Sequence, residues 1–125
     1  MTSRRSLISV VDDDQSVRES LPDLLQQFGY LVKAFSSAEE FLASGVVADT
    51  TCLILDIAMP GMSGPALQEE LKGRRQNIPI VFITAQGDEA SVRQRMLARG
   101  AAECLFKPFS ETALMDALSI ALRAR

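Results

Sequence analysis

Short apolar runs alternate with longer amphipathic stretches five times along the chain. The apolar runs are Leu7–Val11, Tyr30–Phe35, Cys52–Leu55, Ile80–Ile83 and Ala102–Phe106. They are short and rich in Val, Ile, Leu and Phe, as strands covered on both faces are. Lys33 interrupts the second run and predicts an edge strand, where a charge discourages pairing with another chain.

The stretches between them have helical spacing. Val17, Leu21, Leu24, Leu25 and Phe28 recur at three- and four-residue steps, and Gly29 follows as a stop. Pro22 is awkward there: it falls inside this helix and lacks an amide proton, so it is expected to be tolerated only near the helix's first turn. Ser37-Ala38-Glu39-Glu40 has capping-box spacing ahead of Phe41 and Leu42. Pro65 suits the first turn of a helix carrying Leu67 and Leu71. Val92, Met96 and Leu97 lead to Gly100, and Ser110 can cap a last helix bearing Leu114, Leu118 and Leu122. Met59, Met62, Met96 and Met115 read as packing residues, and Gly61 and Gly64 as turn positions with positive φ.

Five strands alternating with five helices predict an α/β fold, a (βα)5 doubly wound parallel five-stranded sheet with helices on both faces. The order 2-1-3-4-5 is common for such chains and is taken from that general pattern. Its ligand crevice lies at the carboxyl ends of strands 1 and 3.

In that arrangement the polar residues of interest gather on one edge. Strand 1 ends in Asp12 and Asp13, strand 3 in Asp56, strand 4 in Thr84 and strand 5 in Lys107. Carboxylates about 6 Å apart repel by roughly 3 kcal/mol per pair at an effective dielectric near 20. A hard divalent cation offsets that repulsion, and oxygen-only ligands suit Mg2+, or Mn2+ in its place. A carboxylate nucleophile, a cation, a hydroxyl and a lysine together equip a site for phosphoryl transfer. Asp14, the third acid of the run, reads as a cap for the first helix.

A length of 125 residues fits one domain over residues 1–125, with residues 1–6 expected as a flexible start. The net charge of −3 argues against this domain binding nucleic acid through a broad basic surface. The absence of histidine excludes a His base, a His metal ligand and phosphohistidine chemistry on this chain. Cys52 and Cys104 sit within apolar runs and read as buried thiols in a reducing compartment. No stretch has the length of a signal-peptide core or membrane span, so a cytoplasmic location and no membrane partner are expected.

The segments "VVDDD", "LILDIAMPGMSG", "VFITA" and "LFKPF" occur in this order at the strand ends. With them the chain resembles, over essentially its whole length, the receiver domain of two-component response regulators, whose fold is flavodoxin-like. The resemblance implies that Asp56 is the phosphoacceptor and that Asp12 and Asp13 hold Mg2+ together with Asp56 and the backbone carbonyl of Ala58. It implies that Thr84 bonds a phosphoryl oxygen and shifts on activation, and that Lys107 pairs with the phosphate before a cis Lys107–Pro108 peptide. The donor would be a phosphohistidine on a sensor histidine kinase or a histidine phosphotransfer protein. Such a domain is no enzyme in the usual sense, since it catalyses only its own phosphorylation and dephosphorylation. The spacing "PGMSG…GD…KPF" resembles receivers joined to a helix-turn-helix output domain that regulates transcription. A homodimer through the fourth helix, fifth strand and fifth helix on phosphorylation is a further expectation.

One position departs from the family. Where many receivers carry Phe or Tyr three residues before the lysine, this chain has Cys104. The thiol is too small for the usual aromatic swing, which leaves the switch partnering Thr84 open. An aspartyl phosphatase would need a second acid two residues after the nucleophile, where Ala58 stands. A flavin carrier fails on charge, because three aspartates after strand 1 would repel the flavin phosphate. A receiver acting only as a phosphorylation-independent binding module is the remaining alternative.

Overall fold

Each of the apolar runs forms a strand in the computed structural model, which describes residues 6–123. The strands are β1 (Leu7–Val11), β2 (Leu31–Phe35), β3 (Cys52–Asp56), β4 (Ile80–Thr84) and β5 (Glu103–Phe106). The helices are α1 (Gln15–Gln27), α2 (Ala38–Ala43), α3 (Gly64–Gly73), α4 (Glu89–Ala98) and α5 (Glu111–Arg123), with a short 3-10 turn at Val47–Asp49. All strand pairs are parallel and the order is β2-β1-β3-β4-β5, so Lys33 does lie on an edge strand. The flexible start expected at residues 1–6 falls outside the described residues apart from Ser6, whose carbonyl accepts from the Leu31 N–H at 3.0 Å.

Strand residues alternate between two cores, as the two-residue period requires. Val11, Leu53, Leu55, Ile80, Phe82 and Cys104 pack beneath α2, α3 and α4, contacting Phe41, Leu67, Leu71, Val92 and Met96. Ile8, Val10, Cys52, Ile54, Val81 and Ile83 pack beneath α1 and α5, against Leu21, Leu25, Leu114 and Leu118. Met59, Met62, Met96 and Met115 all touch these cores. No helix among the described residues is long and apolar enough to cross a membrane, and no disulfide joins the two buried cysteines.

Most helix boundaries follow their caps. Asp14, Ser37, Ser63 and Asp88 each accept a backbone N–H from the first turn that follows. Gly29 and Gly100 follow their helices with φ of +91° and +99°.

Three expectations need correction. Pro22 lies in the middle of α1, not at its first turn. An interior proline costs about 3 kcal/mol, and the helix persists because Leu21 and Leu25 on either side of it are buried against the sheet. Phe28 does not join the buried stripe; it is the C-cap and stands 48% exposed, because the helical register ends before it. Gly64 has no positive φ, unlike Gly61 at +76°. It opens α3 with its backbone pressed on β3, so that an added Cβ would overlap the carbonyl oxygen of Asp56.

Gly64→Ala is therefore expected to destabilise the fold by about 2 kcal/mol through overpacking. A urea unfolding curve with an unchanged midpoint would contradict that contact.

Candidate functional site at the carboxyl edge of the sheet

Parallel strands end on the same side, and here four endings converge. Asp12 follows β1, Asp56 and Thr84 close β3 and β4, and Lys107 follows β5. The order β1-β3-β4-β5 puts them side by side. The Lys107 N–H donates to the Thr84 carbonyl at 2.8 Å, which ties the ends of β4 and β5 together.

Asp12 is fully buried. Its Oδ1 accepts the Asp14 N–H at 2.9 Å, and its Oδ2 lies 2.8 Å from Lys107 Nζ and makes no hydrogen bond besides that ion pair. Arg18, on α1, donates from Nη1 to the Asp12 carbonyl at 3.0 Å. Both ends of this residue are thus held. Asp13 stays exposed. Asp14 turns away to cap α1, accepting the Ser16 hydroxyl at 2.8 Å and the Ser16 N–H at 2.9 Å. Those bonds, the hydroxyl first, hold its carboxyl below the usual range.

Asp56 is only 6% exposed. Burial pushes its carboxyl up to about 7, the Asp12 charge adds to this, and Lys107 opposes it. Burial alone would pull the Lys107 ammonium down, but the hydrogen bond and charge of Asp12 and the charge of Asp56 hold it above its ordinary value. Lys107 Nζ is 2.8 Å from Asp12 and 4.0 Å from Asp56, so the lysine rests mainly on Asp12. Its peptide to Pro108 is cis.

Carboxylate oxygens of Asp12, Asp13 and Asp56 all lie within 4.8 Å of one another. This oxygen-only group, two of its members buried and one carrying a raised proton affinity, fits a hard divalent cation such as Mg2+. Asp14 is outside it.

Thr84 is buried, and its hydroxyl is engaged in a local turn, accepting the Gln86 N–H at 3.1 Å and facing the Gln86 carbonyl at 3.3 Å. Ala58 and Thr84 line one cleft with Gln86, Val92 and Arg95, of about 590 Å³. Ala58 belongs to the β3–α3 loop, which is closed at its base by the Gly64 N–H on the Ile57 carbonyl at 2.9 Å.

Cys104 is buried with Phe82 under α4, at the bottom of a groove also lined by Arg93, Phe106 and Phe109. Burial first, then the Glu103 charge, pushes its thiol up to about 11 against the opposing pull of Arg93, which disfavours the thiolate needed for redox chemistry. Over this groove Arg93 makes a two-pronged bond to Glu103, at 2.8 Å from Nε and 2.9 Å from Nη2. Arg93, Arg18 and Glu39 were not singled out by the sequence reading. Nothing in their local spacing marks a partner on another element.

Residues 8–119 match the family of response regulator receiver domains. Nodulation protein W of Bradyrhizobium diazoefficiens is 42% identical over 93% of this chain and 51% of its own length. The transcriptional regulatory protein FixJ of Azorhizobium caulinodans is 39% identical over 92% of this chain and 54% of its own. The chain thus spans about half the length of these curated relatives. The solved structure of the response regulator StyR superposes with a TM-score of 0.86 at 46% identity, covering 97% of this chain and 61% of that one. The sheet order, the acidic cluster at its carboxyl edge and these matches agree: the chain belongs to the response regulator receiver domain family of two-component signalling, and its homologues include transcriptional regulators.

Proposed function

We propose that this domain is a phosphorylation-controlled switch in which Asp56 accepts a phosphoryl group from a phosphohistidine on a partner kinase or phosphotransfer protein. The observation that carries this reading is the meeting of Asp12, Asp13 and Asp56 within 4.8 Å, with Lys107 against two of them. Asp12, Asp13, Asp56 and the Ala58 carbonyl would hold Mg2+. When bound, the cation supplies charge neutralisation for the carboxylates and for the phosphoryl oxygens.

An Asp56 carboxylate oxygen attacks phosphorus, and the bond between phosphorus and the donor imidazole nitrogen breaks. The electron pair of that bond leaves with the imidazole. The product is an acyl phosphate on Asp56. Lys107 gives up part of its contact with Asp12 to pair with the added charge. Thr84 can donate to a phosphoryl oxygen only by releasing the Gln86 carbonyl, so phosphorylation is coupled to the β4–α4 loop. No aromatic ring is available at Cys104 to follow that movement. The shift instead loads α4 directly, which buries only Val92 and Met96 and is bound to β5 through Arg93–Glu103. The output side is a transcription-regulating helix-turn-helix domain joined in the longer protein, a reading supported by the regulators among the relatives.

Intact mass after incubation with acetyl phosphate and Mg2+ tests the central step. A gain of one phosphoryl group, absent from Asp56→Asn and abolished by chelation, is the expected result. If neither acetyl phosphate nor a partner kinase modifies Asp56, the phosphorylation-independent binding module takes its place.

A further inference from the structure

The β3–α3 loop that carries Ala58 is pinned at two points, and one of them comes from another element. At its base, Gly64 holds the Ile57 carbonyl. Near its tip, the Met62 N–H donates to Oε2 of Glu39, in the first turn of α2, at 3.1 Å. Gly61 makes room for this approach, because a Cβ there would lie 2.9 Å from the same Glu39 oxygen.

Glu39 is not needed to start its own helix. Ser37 accepts the Glu40 N–H at 3.0 Å, and Glu40 accepts the Ser36 N–H at 2.7 Å, so α2 is capped without it. Nor does Glu39 belong to the acidic group of Asp12, Asp13 and Asp56. Its carboxylate reaches out of α2 to a backbone amide of the loop that leaves the phosphoacceptor strand. The segment between Ile57 and Met62 is thereby held at both ends, with Ala58 inside it.

We propose that Glu39 is a positioning residue for the divalent cation: by holding the Met62 amide it fixes the loop that presents the Ala58 carbonyl. The inference rests on the receiver reading of the site given above. A loop ordered in advance spends no binding free energy on its own ordering, whereas a loose one weakens whatever it must help to bind. The contact acts as a hydrogen-bond acceptor, so an uncharged acceptor of the same shape replaces it.

Backbone amide NMR during Mg2+ titration of the wild-type chain, Glu39→Ala and Glu39→Gln tests this, with urea unfolding of each metal-free protein alongside. Glu39→Ala is expected to weaken Mg2+ binding about 3- to 10-fold, the range of one hydrogen bond. The Met62 amide proton shifts upfield in that variant, and its metal-free unfolding midpoint stays close to wild type. Glu39→Gln is expected to bind Mg2+ within about twofold of wild type and to keep the Met62 shift. Wild-type affinity in Glu39→Ala overturns the inference. So does equal weakening in both variants, which would assign the effect to charge, or a large loss of metal-free stability in Glu39→Ala, which would make the contact merely structural. If the wild-type chain itself binds no Mg2+, the receiver reading of the site fails and the inference falls with it.

Discussion

Without divalent cations at pH 8, Asp56→Asn is expected to be more stable than the parent chain by about 2 kcal/mol. Asp56 is nearly buried and shares its corner with Asp12, and burial and the Asp12 charge raise its carboxyl to about 7 from an ordinary 3.8. The folded state therefore binds its proton more tightly than the unfolded state does. Stability is greatest below the unfolded value, where Asp56 is neutral in both states. It falls as pH rises through the interval up to about 7 and is flat beyond it. At about 1.4 kcal/mol per pH unit the full interval is worth some 4 kcal/mol. Interacting sites divide such a shift between them, and about half of it is assigned to Asp56 itself. Asparagine keeps the shape and removes the charge, so its stability profile between pH 4 and 8 should be flatter.

Mg2+ should reverse the ranking, because the cation stabilises the parent by binding only the folded state and finds one carboxylate fewer in the variant. Urea unfolding at several pH values, with EDTA or with Mg2+, measures both effects. A variant less stable than the parent at pH 8 in EDTA would show that the aspartates do not strain this edge of the sheet.

Lys107→Ala should lose about 3 kcal/mol of metal-free stability at neutral pH, because it leaves the buried Asp12 carboxylate without its ion pair. The raised lysine contributes fully below its ordinary value and is lost only as pH climbs past it. Between pH 5 and 9 the lysine is therefore constantly charged, and any slope comes from the carboxylates. Once the lysine is gone, protonation of Asp56 relieves its repulsion with the Asp12 charge, so the metal-free variant should regain stability toward pH 5. Mg2+ should restore part of the loss at pH 8. Phosphoryl loading from acetyl phosphate should also fall by about 100-fold or more, since one charge facing the transferring group is missing. Equal loss at pH 5 and pH 8 would indicate that the lysine's aliphatic stem, not its charge, supports the site.

The acidic cluster, the lysine and the strand alternation were legible because each is a local pattern. A buried strand needs a run of apolar residues, and a polar residue can follow only where the run ends. Asp12, Asp56, Thr84 and Lys107 thus announce themselves at the ends of β1, β3, β4 and β5. The caps at Asp14 and Ser37 are legible for the same reason, since donor and acceptor lie within four residues. Pro22 shows the limit of such reasoning: local propensity argued for a helix start, and burial of Leu21 and Leu25 decided otherwise.

Contacts between elements had no such signature. Glu39 holds Met62 across 23 residues, Arg93 holds Glu103 across 10, and Gln68 donates to the Arg99 carbonyl across 31. Each depends on where one helix sits over its neighbour, which is set by packing in the two cores and not by the spacing of the charged residues themselves. Gly64 is the same case in reverse: its need is for space against the Asp56 carbonyl, and no backbone angle betrays it. By itself the sequence determined the order of elements, the two-sided sheet and the polar residues at its carboxyl edge, because apolar periodicity and strand endings are written residue by residue. The tertiary structure alone decided that Lys107 leans on Asp12 and that α2 reaches the β3–α3 loop, because those distances arise only once strands and helices are assembled.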